Sequence, residues 1–171
     1  MKFSFAPDKL SNTEFVETFG SIYEHSPWVA ELILGEGVTE ADNGVAHLCQ
    51  RMATIVDECG DERQRALLCA HPELAGKLAI DGGLTEDSTD EQASAGLDRC
   101  SPTEFATFAA LNTAYTAAFG HPFIIAVRGL TRADILAAFQ TRITNDAATE
   151  FATALAEVHK IARLRLEALA D

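Results

Sequence analysis

The sequence predicts an all-α fold: a helical bundle of about seven to nine helices, forming one domain over residues 1–171, with one short extended connector. Three observations carry this reading. Capping signals, a Ser or Thr followed three residues later by an acid, recur along the chain. Apolar residues between them repeat at three- and four-residue spacing. Only "HPFIIAVRGL", residues 121–130, reads as extended, and one strand cannot make a sheet.

Taken in order, Ser11 and Glu14 form a capping box that opens a first helix ending near Gly20. Ser26 ahead of Pro27 supplies a capping hydroxyl and a proline at the first helical position, starting a helix with Trp28 and Leu32. A longer helix is expected from about Thr39 to Glu58, because Val45, Leu48, Met52, Ile55 and Val56 recur at helical spacing and Gly60 closes it. Asp61 then caps a short helix to about Ala70. Residues 81–85 are a loop by their glycines. Ser88 and Glu91 read as a further capping box, with Glu91 in the first turn of a helix reaching Asp98. Ser101, Pro102 and Glu104 open a strong helix through Phe105, Phe108, Leu111, Asn112, Tyr115 and Phe119, ended by Gly120. Pro122 drives its predecessor out of helical geometry, and Ile124 and Ile125 are β-branched, so the connector is extended there. Helices from Thr131 to about Ile143 and from about Asp146 to Leu169 complete the chain.

Composition narrows the function. Hydrophobic residues make up 47% and charged residues 23%, an ordinary globular balance. The formal net charge of −13 disfavours nucleic acid and anionic membranes, since phosphate binding needs clustered Lys and Arg. No apolar run approaches a bilayer span and the N-terminus lacks a long apolar leader core, so a cytoplasmic protein is expected. The four cysteines (Cys49, Cys59, Cys69, Cys100) form no C-x-x-C pair and read as buried free thiols. A zinc site combining them with His25, His47 or His71 has no ligand spacing behind it.

Four features carry candidate chemistry, each beside a plainer reading. His71, in "HPELAGK", either ends a helix at the negative end of its dipole or serves as a general acid or base among apolar walls. Glu91 and Gln92 either cap a helix or offer adjacent acceptor and amide groups to a ligand rich in N–H. Asn112 and Tyr115, three apart on a helix rich in Ala and Phe, are a structural hydrogen bond or a pocket wall. Arg165 falls seven after Val158 and four after Ile161, on the apolar stripe of the last helix. An Arg there is paired with an acid, for which Glu91 is a candidate, or binds an anion. Arg163 shares the opposite face with Lys160 and Glu167.

Together these segments resemble the OHCU decarboxylase family, which acts on 2-oxo-4-hydroxy-4-carboxy-5-ureidoimidazoline in the breakdown of uric acid. The likeness rests on "HPELAGK", on Ser88-x-x-Glu91-Gln92-x-x-Ala95-Gly96-Leu97, on Asn112-x-x-Tyr115 followed by Phe119-Gly120-x-Pro122-Phe123-Ile124, and on Glu157-Val158-x-x-Ile161-Ala162-x-x-Arg165-Leu166. "FGSIYEHSPWVAE" extends it towards the start. The resemblance implies an all-α enzyme that forms (S)-allantoin without cofactor or metal, often as a homodimer, downstream of uricase and hydroxyisourate hydrolase. It implies His71 as the catalytic histidine. It further implies substrate contacts from Pro72, Ser88, Glu91, Gln92 and Arg165 and from the backbone of Phe123, Ile124 and Ile125. Two positions depart from the family pattern: Ala118 stands where a lysine is usual and His121 where an aromatic is usual. The alternative is a non-catalytic helical relative serving as an interaction module.

Overall fold

A computed structural model describes residues 1–76 and 84–170 of the chain. Eight α-helices are present among them: α1 Asn12–Phe19, α2 Trp28–Glu36, α3 Val45–Glu58, α4 Asp61–Ala70, α5 Glu86–Ser94, α6 Pro102–Phe119, α7 Arg132–Arg142 and α8 Ala147–Ala168. Three 3₁₀ turns accompany them, at Pro7–Lys9, Glu40–Asn43 and Leu97–Arg99. No strand occurs among the described residues; Lys2 and Gly44 form an isolated antiparallel bridge. The fold is all-α, as the helix signals predict. The end of "HPELAGK", the apolar patch at 78–80 and the glycine loop at 81–83 lie outside the described residues.

Helix boundaries follow the caps where a side chain closes them. The Ser11–Glu14, Ser101–Glu104 and Thr131–Asp134 pairs each bond reciprocally, side chain to backbone, and start α1, α6 and α7. Gly120 ends α6 in the left-handed conformation, φ +77°, that an L side chain resists.

Three boundaries differ from expectation. The helix expected from Thr39 is two pieces, because Thr39 and Asp42 close a 3₁₀ turn and Gly44 is extended (φ −95°, ψ 122°) to bridge Lys2 before α3 begins. Ser26 does not cap α2 with its hydroxyl; its carbonyl accepts from Val29 N at 3.2 Å, so the turn starts on backbone bonds alone. In the third case Thr85, not Ser88, caps α5: the Thr85 hydroxyl accepts from Ser88 N at 3.2 Å. Glu91 therefore sits beyond the first turn, and the helix stops at Ser94 ahead of left-handed Gly96.

The chain is organised as two compact units, with α8 supplying residues to each. One comprises Met1–Ala70 and the end of the chain from His159. Here α2 packs on α1 and α3, with Phe15, Phe19, Ile33, Leu48 and Met52 buried. Tyr23, itself buried, reaches His159 Nδ1 at 2.8 Å, and His159 Nε2 lies 3.1 Å from Asp57 Oδ1. Burial pushes the Tyr23 phenol well above its ordinary value, so the hydroxyl keeps its proton. The other unit, within His71–Val158, is built on Leu74, Leu97, Phe108, Tyr115, Phe123 and Phe139. All four cysteines are free; Cys69 is exposed and the other three are only half-buried, so the expectation of buried thiols is not met. No helix among the described residues is long and apolar enough to cross a membrane.

The caps make a prediction. Hydrogen bonds from their cap partners hold the carboxyls of Glu14, Glu104, Asp134 and Asp146 below their ordinary values. A carboxyl depressed in the folded state adds stability above its unfolded pKa and loses it as pH falls through the folded one. The midpoint of thermal unfolding is therefore expected to fall steadily below about pH 4. Circular dichroism melts of Glu104→Gln should show a shallower fall than the parent, because its cap no longer titrates.

Candidate active site

His71 directly follows the last residue of α4 and is 8% exposed. Pro72 beside it is half-buried. The chain then turns sharply, with Ala75 in the left-handed region at φ +48°, an uncommon conformation for a residue with a Cβ. Two buried side chains hold that turn. Gln92 Oε1 accepts from Ala75 N at 3.0 Å, and its Nε2 donates to Glu73 O at 3.4 Å. Asn112 Nδ2 donates to Leu74 O at 2.9 Å. Of the alternatives open for Asn112 and Tyr115, the hydrogen-bonding one is realised for both.

Gln92 and Ser88 are buried on α5, four residues apart and so on one face; Glu91 beside them is half-buried. Gln92 thus joins α5 to the turn that begins at His71, and its Nε2 keeps a second hydrogen for another acceptor.

Residues 122–127 of the connector belong to no helix and are packed, with Phe123, Ile124, Ala126 and Val127 buried and Ile125 half-buried. Lacking a neighbouring strand, it is held by side chains. Arg142 Nη1 donates to Ile124 O at 2.6 Å, and Ala126 N donates to Glu157 Oε2 at 2.7 Å. Arg142 in turn binds the fully buried Glu150 through Nε at 2.9 Å and Nη2 at 2.5 Å, and lies over the Phe123 ring at 4.4 Å. Glu150 also accepts from the Tyr115 hydroxyl and from Asn145 Nδ2 at 2.8 Å. Burial, reinforced by the bond to Glu150, pushes the Tyr115 phenol far above its ordinary value, keeping it a donor. The backbone N–H groups of Phe123, Ile124 and Ile125 meet no acceptor among the described residues. His121 is buried among rings, stacked on Phe119 and edge-on to Tyr115, with Nδ1 3.0 Å from Pro122 O.

Arg165 belongs to the other unit. It is 5% exposed, as its place on the apolar stripe predicts, and Arg163 is exposed beside Glu167. The acid at 2.8 Å from Arg165 Nη1 is Glu24, itself buried, and the same nitrogen donates to Ser21 O at 3.1 Å.

Glu24, Arg142 and Glu150 were not singled out from sequence. Glu150 had a usable signal: it lies four before Ala154 and eight before Val158, on the same stripe that exposes Arg165 as an anomaly. Arg142 follows the buried Ile135 and Phe139 by seven and three in the same way. Glu24 lies between helices, where no periodicity applies.

These features define a class: an all-α protein with a buried histidine on a side-chain-pinned turn and a run of backbone amides that meet no acceptor among the described residues. The family model described as OHCU decarboxylase matches residues 8–167. A protein of Halalkalicoccus jeotgali named 2-oxo-4-hydroxy-4-carboxy-5-ureidoimidazoline decarboxylase is 43% identical over 155 residues, covering 91% of this chain and 84% of that one. One of the same name from Haloferax volcanii is 42% identical over 159 residues, covering 93% and 90%. A crystal structure of an (S)-allantoin synthase superposes with a TM-score of 0.77 at 32% identity, over 96% of this chain and 53% of that longer one. The chain belongs to the OHCU decarboxylase family.

The two arginines of α8 give a prediction. Arg165→Met removes the guanidinium that meets the buried Glu24 carboxylate at 2.8 Å and should lower unfolding free energy by about 3–5 kcal/mol. Arg163→Met, on the solvated face, should stay within about 0.5 kcal/mol of the parent. Urea unfolding followed by circular dichroism measures both.

Proposed function

We propose that this protein decarboxylates 2-oxo-4-hydroxy-4-carboxy-5-ureidoimidazoline to (S)-allantoin, in a single domain spanning residues 1–171. The observation that carries the reading is family membership across residues 8–167, with His71 buried at the head of a turn fixed by Gln92 and Asn112. A buried imidazole suits proton transfer near neutral pH.

The reaction suits these groups. When the carboxylate leaves as CO2, the electron pair of the broken C–C bond delocalises into the imidazoline ring and its carbonyl. The hydroxyl on the carbon that lost CO2 gives up its proton and becomes a carbonyl, and a proton reaches the neighbouring ureido-bearing carbon from one face, which gives one enantiomer. Backbone donors from Phe123, Ile124 and Ile125 hold the ring oxygen on which charge develops, stabilising it where it forms. His71 handles either the hydroxyl proton or the returning one. Glu91 accepts from ureido N–H groups, and the second Nε2 hydrogen of Gln92 serves a substrate oxygen. Ser88 and Pro72 complete the contacts. Arg165, already charge-balanced by Glu24, suits a carbonyl oxygen as well as an anion. This chemistry calls on no cofactor, and the ring itself serves as the electron sink. The protein works as a cytoplasmic homodimer, on substrate made from urate by uricase and hydroxyisourate hydrolase.

The test is direct. Urate with uricase and hydroxyisourate hydrolase should yield optically active allantoin faster when this protein is added, followed by circular dichroism of the product. His71→Asn should fold normally and lose about 10²–10⁴-fold in rate. Near-native turnover by that variant would return His71 to a helix-ending role and make His121 the next imidazole to replace. No acceleration by the parent protein would favour a non-catalytic relative.

A further inference from the structure

We infer that Glu157 and Arg142 are positioning residues that set the direction of the amide donors in the connector, an inference that rests on the functional reading above. The geometry of the peptide plane carries it. In a trans peptide the C=O and the following N–H point in opposite directions and rotate together. Arg142 Nη1 takes the Ile124 carbonyl at 2.6 Å, so the Ile125 N–H of the same plane faces the opposite way. Glu157 Oε2 takes the Ala126 N–H at 2.7 Å, which fixes the next plane in the same manner. Ile125 is thus bracketed by two anchored peptide planes. An extended segment in a sheet has its planes set by neighbouring strands; here two side chains do that work, one cationic and one anionic.

The anchors are themselves stiff. Arg142 is 9% exposed, holds Glu150 through two nitrogens and lies over the Phe123 ring. That ring stacks on Phe139 of α7, centroids 3.7 Å apart and planes within 19°. Glu157 is seven residues beyond Glu150, on the same face of α8. The helix therefore grips the connector at two points: through Arg142 at Ile124 and directly at Ala126. Donors aimed in advance cost no reorganisation when charge develops on a bound oxygen.

Glu157→Ala, Glu157→Gln and Arg142→Lys test this in the full chain, using substrate generated in place by uricase and hydroxyisourate hydrolase. Glu157→Ala should lower kcat/KM about 10- to 100-fold, the scale of a displaced contact remote from the bond broken. Its pH profile should be unchanged, because His71 is untouched. Glu157→Gln keeps an acceptor oxygen for Ala126 N and should recover most of the rate. Arg142→Lys loses the fork that spans Glu150 and Ile124 O, and should fall with Glu157→Ala. All rates are taken per folded molecule, from circular dichroism melts. Parent-like kcat/KM in Glu157→Ala overturns the inference, as does Glu157→Gln impaired as deeply as Glu157→Ala. Should Glu157→Ala not fold, a parent-like Arg142→Lys has the same force.

The amide resonances of Ile125 and Ala126 in ¹⁵N spectra are read alongside. They should move in Glu157→Ala and stay in Glu157→Gln, and unmoved resonances in Glu157→Ala overturn the inference without reference to activity. An inactive parent protein whose resonances behave as expected would instead overturn the functional reading and leave the anchoring of the connector standing.

Discussion

A buried carboxylate must find a cation and enough donors, and Glu150 meets that demand in a way that organises the unit around it. It is fully buried, and Arg142, Tyr115 and Asn145 all turn towards it. The guanidinium so captured has one nitrogen left over, which satisfies the Ile124 carbonyl. Removing either charge alone would strand the other in a low-dielectric interior, a costlier outcome than the pair. The pair thus ties α6, α7 and α8 to a segment that has no regular structure of its own. Phe123 is trapped between the guanidinium above and Phe139 below as a consequence.

The same logic recurs at the turn after His71. An all-α protein spends its backbone hydrogen bonds inside helices, so its free backbone donors and its acutely turned segments lie between them. Such segments hold a fixed shape only if side chains replace the missing backbone partners. Gln92 and Asn112 do so around Ala75, whose left-handed backbone would not persist unaided. Arg142 and Glu157 do so for the connector. The buried polar residues are therefore what let a helical scaffold carry a shaped non-helical surface. Glu24 plays the corresponding part for Arg165 in the other unit, balancing its charge and leaving the guanidinium fixed.

Much of this was legible beforehand. The caps at Ser11, Ser101 and Thr131 are decided within four residues, and each appears where its signal stands. The buried phase of Arg165 and the solvated phase of Arg163 follow from 3.6-residue geometry alone. Where two local signals competed, the sequence was ambiguous. Thr85 and Ser88 both precede helical residues, and only the bond from Ser88 N to the Thr85 hydroxyl selects the earlier start. Gly44 sits inside a periodic stretch, and its extended backbone is set by Lys2, more than forty residues away.

The division between the two levels is physical. Helix class, most boundaries and the stripe carrying Arg165 depend on neighbours within a few residues, and the sequence alone determined them; of the connector expected over 121–130, residues 127–130 close a turn on Gly129 instead. The motifs spread along the chain also sufficed to place it in its family. Which acid meets Arg165, that Gln92 braces the turn behind His71, and that Glu150, Arg142 and Glu157 grip the connector were decided only in three dimensions. Gln92 and Ala75 are 17 positions apart and Arg165 and Glu24 are 141 apart, while the Arg142–Glu150 pair depends on how two separate helices turn their faces. A buried charge announces by its phase that it needs a partner; which partner it finds depends on the packing of elements that no local pattern encodes.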